Sequence, residues 1–145
     1  MKALETGRVG EKAAAKLLRK NKYKIINKNL HVSHNEIDII AENKEYIVFV
    51  EVKTRSVRDE NDYGFFVPSQ SVTKQKRQRT ITAARAFLSK YKKLRQPRFD
   101  VIEVYLNKDT NKVIKINHII IKKDFQGLFL HLSVYFVLWL IRETM

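Results

Sequence analysis

The stretch EIDIIAENKEYIVFVEVK, residues 36–53, decides how this chain folds. Its first part, Glu36 to Ala41, begins by alternating polar and apolar residues; Tyr46 to Lys53 is almost continuously β-branched or aromatic. Between them the polar run Glu42-Asn43-Lys44-Glu45 has the composition of a hairpin loop. Pairing Ala41 with Tyr46 sets Asp38 opposite Phe49 and Glu36 opposite Glu51. Side chains alternate along a strand, so Glu36, Asp38, Glu51 and Lys53 then project from one face. In that register Asp38 and Glu51 are diagonal neighbours about 7 Å apart. Three carboxylates and an ammonium at the end of an apolar hairpin are the most chemically loaded spot in the chain.

Working outward, 145 residues make one domain with room for a single core. With 44% apolar residues, four Gly and two Pro, the composition is that of a globular chain, neither disordered nor low-complexity. The 29 basic against 15 acidic residues leave a formal charge of +14, which calls for a polyanionic partner such as nucleic acid or an anionic membrane. Absence of cysteine excludes disulfides and thiolate zinc sites. The opening MKALETGRVGEK has no apolar run behind its first lysine, so no signal peptide is expected and a cytoplasmic setting follows.

Residues 3–20 read as a helix. At about 100° per residue, Leu4, Gly7, Gly10, Ala14, Ala15, Leu17 and Leu18 share one side, while Arg8, Lys12, Lys16, Arg19 and Lys20 share the other. Glu11 falls inside the apolar stripe. Either a cation or hydrogen-bond donors await it, or the stripe's margin is open to solvent. Tyr23 to Leu30 is a strand and His31 to Asn35 a polar loop, whose histidines lack the cysteine partners of a metal site and are expected to be solvated. Residues 54–71 form a long loop beside the hairpin end, with Phe65-Phe66 available for base stacking, a dimer contact or packing beneath the loop. Val72 to Tyr91 turns helical, with Val72, Ile81, Ala84, Phe87, Leu88 and Tyr91 on one face. Lys74, Lys76, Arg77 and Arg79 near its start, with Arg85 farther along and Arg55 behind the hairpin, are candidates for phosphate-backbone contact. Strands over FDVIEVYL and Val113 to Ile121 close the domain, with Asp100 read as structural.

Asp38 followed by Glu51-Val52-Lys53 is similar to the D…(D/E)-x-K signature of the PD-(D/E)xK nuclease superfamily. By itself that signature is weak, because such spacings arise on solvated strands that carry only ion pairs. The surrounding words carry more. GRVGEKAAAKLL (7–18), NEIDIIA (35–41), VFVEVKTR (48–55), Tyr63-Gly64 with Pro68, the Lys76 helix with AARAFL (83–88), and RFDVI (98–102) occur in that order. Together they resemble the UPF0102/YraN family of small bacterial proteins, over residues 1 to about 121. Asn21 and Asn35 stand where that family usually has glycine, a place Asn fills because it tolerates left-handed backbone.

What the resemblance implies is an α/β, restriction-endonuclease-like mixed sheet flanked by helices, similar to archaeal Holliday-junction resolvases. It maps the helix glutamate onto Glu11, the strand aspartate onto Asp38 and the E-x-K pair onto Glu51 and Lys53, with Lys76 nearest the site. Phosphodiester hydrolysis uses a hard cation, Mg²⁺ or Mn²⁺, bound by one or two carboxylates and water. Asp38 and Glu51 suit that role, with Glu11 a third or water-mediated ligand, Lys53 facing the phosphate, and Glu36 behind them. The expected function is metal-dependent cleavage of DNA, branched or damaged. A DNA-binding module without catalysis is the alternative, and a homodimer follows by analogy with resolvases.

The resemblance stops before residues 122–145, a hydrophobic C-terminal extension. There GLFLHLSVYFVLWLI (127–141) reads as a packed helix, an oligomer contact or, begun at Phe125, a short membrane anchor flanked by Lys122 and Lys123. Membrane contact through 125–141, with the basic charge serving lipid headgroups, is a third reading of the protein.

Overall fold

The computed structural model describes residues 2–62 and 73–121, apart from the side chains of Glu60 and Arg77. Helix α1 (Lys2–Lys20) leads into strands β1 (Lys24–Val32), β2 (Asn35–Glu42) and β3 (Tyr46–Val57). A short 3₁₀ turn (Glu60–Asp62), helix α2 (Lys74–Leu88) and strands β4 (Gln96–Asn107) and β5 (Val113–Ile121) follow. The sheet order is β1-β2-β3-β4-β5, antiparallel throughout except for the β3–β4 pair, which is parallel. A parallel pair needs a crossover, and the segment containing α2 supplies it. The fold is a mixed α/β sheet flanked by helices, as expected.

The two helices cover opposite faces. Ala14, Ala15 and Leu18 of α1 pack on Ile39, Val48, Val50, Ile102 and Val104. Ala83 and Ala84 of α2, joined by Phe87, pack on Ile40, Ile47, Phe49, Phe99 and Val101. Neighbouring residues of β3 and β4 therefore serve alternate cores, which explains why both strands read as continuous apolar runs.

The helix wheel holds only in part. Leu4 is 64% exposed, because the packed stripe begins at Gly10 and the first turns of α1 overhang the sheet. A Cβ on Gly10 would stand 1.8 Å from Thr54 Oγ1, so this residue lets α1 close onto β3. The end of α1 is a Schellman cap: Tyr23 N–H donates to Leu18 O at 2.9 Å and Lys22 N–H to Arg19 O at 3.1 Å. The left-handed residue there is Lys22 (φ 69°), and in the next turn Ser33 (φ 57°); neither Asn21 nor Asn35 adopts that backbone.

Two loops are shorter than expected. β1 runs on through His31 and Val32, leaving Ser33-His34 as the turn. The central hairpin pairs Ala41 with Val48, not Tyr46. Asn43 Oδ1 accepts the N–H groups of Glu45 (2.9 Å) and Tyr46 (2.7 Å), which pulls the turn toward the C-terminus and slides the register by two. A slip of two preserves parity along the ladder itself, but beyond it the alternation breaks at Asp38, since Ile37 packs in the α2-side core and Ile39 in the α1-side core, and the four expected charges do not share one face. Tyr63, Gly64, Phe65, Phe66, Pro68, Val72 and the hydrophobic extension 122–145 lie outside the described residues. Among the described residues no helix is long and apolar enough to cross a membrane.

Candidate metal and phosphate site

β2 and β3 part where the acids begin. Their ladder runs from Glu42↔Ile47 to Ile39↔Val50 and stops. Beyond it β2 stays with β1 (Ile37↔Leu30, Glu36↔His31) while β3 stays with β4 (Glu51↔Val101 through Val57↔Asn107). Asp38 occupies this fork. Its Oδ2 accepts the N–H of Val52 at 2.7 Å, a donor that an unbroken ladder would have given to a backbone carbonyl.

Burial pushes the Asp38 carboxyl up to about 6, with the charges of Glu51, Glu11 and Glu36 adding to the rise and the Val52 bond opposing it. The sequence-predicted acids are thus brought within electrostatic reach of one carboxylate. They arrive from different directions. Glu11 comes from α1, where Asn29 Nδ2 donates to its Oε2 at 3.3 Å; its partner is an amide rather than a cation among the described residues. Glu36 lies at the sheet margin, half-exposed, 3.7 Å from the exposed His31.

Glu51 is buried on the face turned toward α2. Lys53 Nζ lies 3.1 Å from its Oε1, and the Lys76 ammonium on α2 meets the same oxygen. These are charge contacts without hydrogen-bond geometry, and no described residue donates to Oε2 at all. Burial pulls the Lys76 ammonium down, but its contact with Glu51 and the charges of Glu51 and Asp38 outweigh this and hold it above its ordinary value. Thr73 caps α2, its Oγ1 accepting Lys76 N–H at 3.1 Å, and so fixes the turn that delivers this side chain. Lys74 and Arg79 are exposed on the same helix and Arg55 on β3; the Arg77 side chain is not among those described.

Among the described residues no three His, Asp or Glu side chains gather closely enough to hold an ion between them. Mg²⁺ commonly takes one or two carboxylates and fills its shell with water and phosphate. An orphaned oxygen on buried Glu51 and an Asp38 whose ionisation is opposed by its neighbours both fit such an ion.

Sequence reading missed Glu103. This acid is 2% exposed, is the cross-strand partner of Lys53, and accepts the Tyr105 hydroxyl at 2.7 Å. The signal was a lone acid inside the apolar run FDVIEVYL. Asp100, by contrast, is structural: fully buried, it takes both nitrogens of the Arg98 fork (2.8 and 2.7 Å) and His118 Nε2 (2.7 Å).

Residues 10–104 match the model of the uncharacterised protein family UPF0102. The chain belongs to UPF0102. A UPF0102 protein of Caldanaerobacter subterraneus subsp. tengcongensis is 46% identical over 116 residues, 79% of this chain and 90% of its own length. UPF0102 proteins of Caldicellulosiruptor saccharolyticus (39% over 118 residues, 81% and 95%) and Clostridioides difficile (41% over 116 residues, 79% and 93%) are similar over nearly the same span. The UPF0102 match takes in Glu11, Asp38, Glu51, Lys53 and Lys76 and ends at Val104.

Proposed function

We propose that this UPF0102 protein is a metal-dependent endonuclease that hydrolyses phosphodiester bonds in DNA, with branched, Holliday-junction-like or damaged DNA as the substrate class. The observation that carries this reading is the fork at Asp38, where one part-buried carboxylate feels Glu51, Glu11 and Glu36 together and takes its hydrogen bond from a neutral backbone N–H. Such a cluster is stabilised by a divalent cation. Asp38 and Glu51 would hold Mg²⁺ or Mn²⁺, with Glu11 reaching it directly or through water. When bound, that ion polarises the phosphoryl oxygen and lowers the pKa of a coordinated water. Val52 N–H orients the Asp38 carboxylate, and the amide of Asn29 steadies Glu11. Lys53, paired with Glu51, holds positive charge where the phosphate's negative charge grows during hydrolysis. The basic residues Lys74, Arg79 and Arg55 supply sequence-independent attraction to the backbone.

A second reading rests on a specific contact. The Lys76 ammonium already meets Glu51, as in a DNA-binding module that keeps the fold and replaces the metal by an internal cation. Cleavage of labelled duplex, flap and four-way-junction DNA, with and without Mg²⁺ or Mn²⁺, separates the two. The nuclease reading expects metal-dependent nicking that Asp38→Ala and Glu51→Ala each abolish while the circular dichroism spectrum is kept. Binding without cleavage under every divalent ion, unaffected by either substitution, selects the module.

A further inference from the structure

The acids of the fork open into a cleft of about 550 Å³ on the α1 side of the sheet, lined at one end by Glu11 and Asp38. Its floor is β3, where Val52, Thr54 and Ser56 point the same way over about 13 Å of strand. Overhanging first turns of α1 form one wall and the β4–β5 turn the other, bringing Lys2, Lys108 and Asn111 to the lining. The Thr6 hydroxyl there is already donated to Lys2 O (2.8 Å), which leaves the hydroxyls of Thr54 and Ser56, the Asn111 amide and the two ammoniums as donors. Apart from the acids at its head, the polar groups of the lining are those of a phosphate track, cations and neutral donors set among the apolar surface of Ala3 and Val52.

The far wall is built in advance. Lys108 N–H donates to Val57 O at 2.8 Å, tying the turn to the end of β3. Asn107 Oδ1 accepts the N–H groups of Asp109 (2.9 Å) and Thr110 (3.0 Å), and Asn111 takes the left-handed conformation (φ 56°) that closes the turn. Among the described residues no acid pairs with the Lys108 ammonium or with that of Lys2. On its other side Lys108 borders a second hollow with Arg58, Asp59 and Asp62, but both aspartates are engaged by backbone N–H groups there.

We propose that this cleft takes a single nucleic-acid strand by its sugar–phosphate backbone, leading it away from the cleaved bond, with Lys108 and Lys2 neutralising phosphates and Thr54, Ser56 and Asn111 donating to them. The proposal rests on the nuclease reading for the position of the cleaved bond. It places part of the phosphate contact on the face opposite α2, whereas the sequence directs all of it to α2 and Arg55. The occupant proposed is the backbone of one strand, which at a flap or a branch is free of its complement.

The test is fluorescence anisotropy of the full-length protein with a labelled single-stranded oligonucleotide and with a flapped duplex, in Ca²⁺, over a series of salt concentrations. Lys108→Ala is expected to weaken both complexes about three- to tenfold at low salt and to lower the log–log salt slope by about one. Gly7→Glu provides a second variant, since a Cβ there meets nothing within 4 Å and its carboxylate would enter the cleft without disturbing the fold. It should weaken binding at least as much, with a melting temperature no lower than that of the unmodified protein. Wild-type affinity and slope in both variants overturn the cleft assignment while leaving the nuclease reading intact. Failure of the unmodified protein to bind either DNA overturns both. Loss of cleavage in Asp38→Ala with wild-type strand binding supports the division between acids and track.

Discussion

The Asp38 carboxylate takes the N–H of Val52 at 2.7 Å in the gap where β2 and β3 separate. This bond anchors an acid whose charged form is otherwise opposed by burial and by Glu51, Glu11 and Glu36, so that its pKa is raised to about 6 from the ordinary aspartate value of 3.8. A folded-state pKa above the unfolded one means that the native protein holds the extra proton between those values. Stability should therefore fall as pH rises from about 4 to about 6, and the penalty should be fully present above pH 6. Asp38→Asn keeps an acceptor for Val52 and removes the charge. In EDTA at pH 7.5 its melting temperature should rise by on the order of 3 °C, the pH 4–6 slope should flatten, and Mn²⁺ should no longer raise the melting temperature. Thermal melts of both proteins with and without Mn²⁺ read all three.

The Lys76 ammonium meets the Glu51 oxygen that the proposed cation would take. Lys76→Met should raise Mn²⁺ affinity several-fold by calorimetry, because the ammonium no longer needs displacing. Without metal the same change should cost about 1 kcal/mol in urea unfolding; the half-exposed lysine limits the loss below that of a fully buried pair. An unchanged Mn²⁺ affinity would mean that the two cations do not share a position.

Gly7 and Gly10 stand one turn apart on α1 and should respond in opposite directions. Gly10→Ala drives a methyl group into Thr54 and should cost about 1–3 kcal/mol while carrying neighbouring Glu11 away from Asp38, so that Mn²⁺ affinity falls as well. Gly7→Ala meets open space within the helix and should stabilise by about 0.5–1 kcal/mol. Urea denaturation of the pair, with Mn²⁺ titration of each, is the check.

Arg98 and fully buried Asp100 form an ion pair on β4, where Asp100 is the cross-strand partner of Val50, with Tyr23 accepting from Arg98 Nη2 at 2.8 Å and Tyr46 beneath the guanidinium at 4.5 Å. Arg98→Met leaves a buried carboxylate with His118 alone and should destabilise by about 3–5 kcal/mol. Mn²⁺ affinity, measured where the variant is still folded, should change little, because the side chains that this pair touches are Tyr23, Tyr46 and His118 and not Glu11, Asp38 or Glu51.

Much of this was readable in the chain. The apolar alternation of residues 36–53 carries the hairpin, but not the single face expected for its acids: Ile37 and Ile39 serve opposite cores, and Asp38 lines the α1-side cleft while Glu51 turns toward α2. Glu11 was legible only as a contradiction, a carboxylate in an apolar stripe; no local rule says that its partner is an amide on β1. Leu4 was misread because amphipathic spacing reports which side of a helix is apolar, not where the sheet beneath it ends. Glu103 and Lys108 went unnoticed because their neighbours in space belong to β3, about fifty residues away in the chain.

Sequence alone determined the main elements and the apolar runs of β3 and β4, and marked out Glu11, Asp38 and Glu51, because periodicity and charge are properties of short stretches. Only the tertiary structure decided that the sheet forks at Asp38, that Lys76 reaches Glu51 and that Lys108 borders the same cleft as Asp38. Each of these depends on strands and helices meeting in three dimensions, where a hydrogen bond lost from one ladder is made again by a side chain from another.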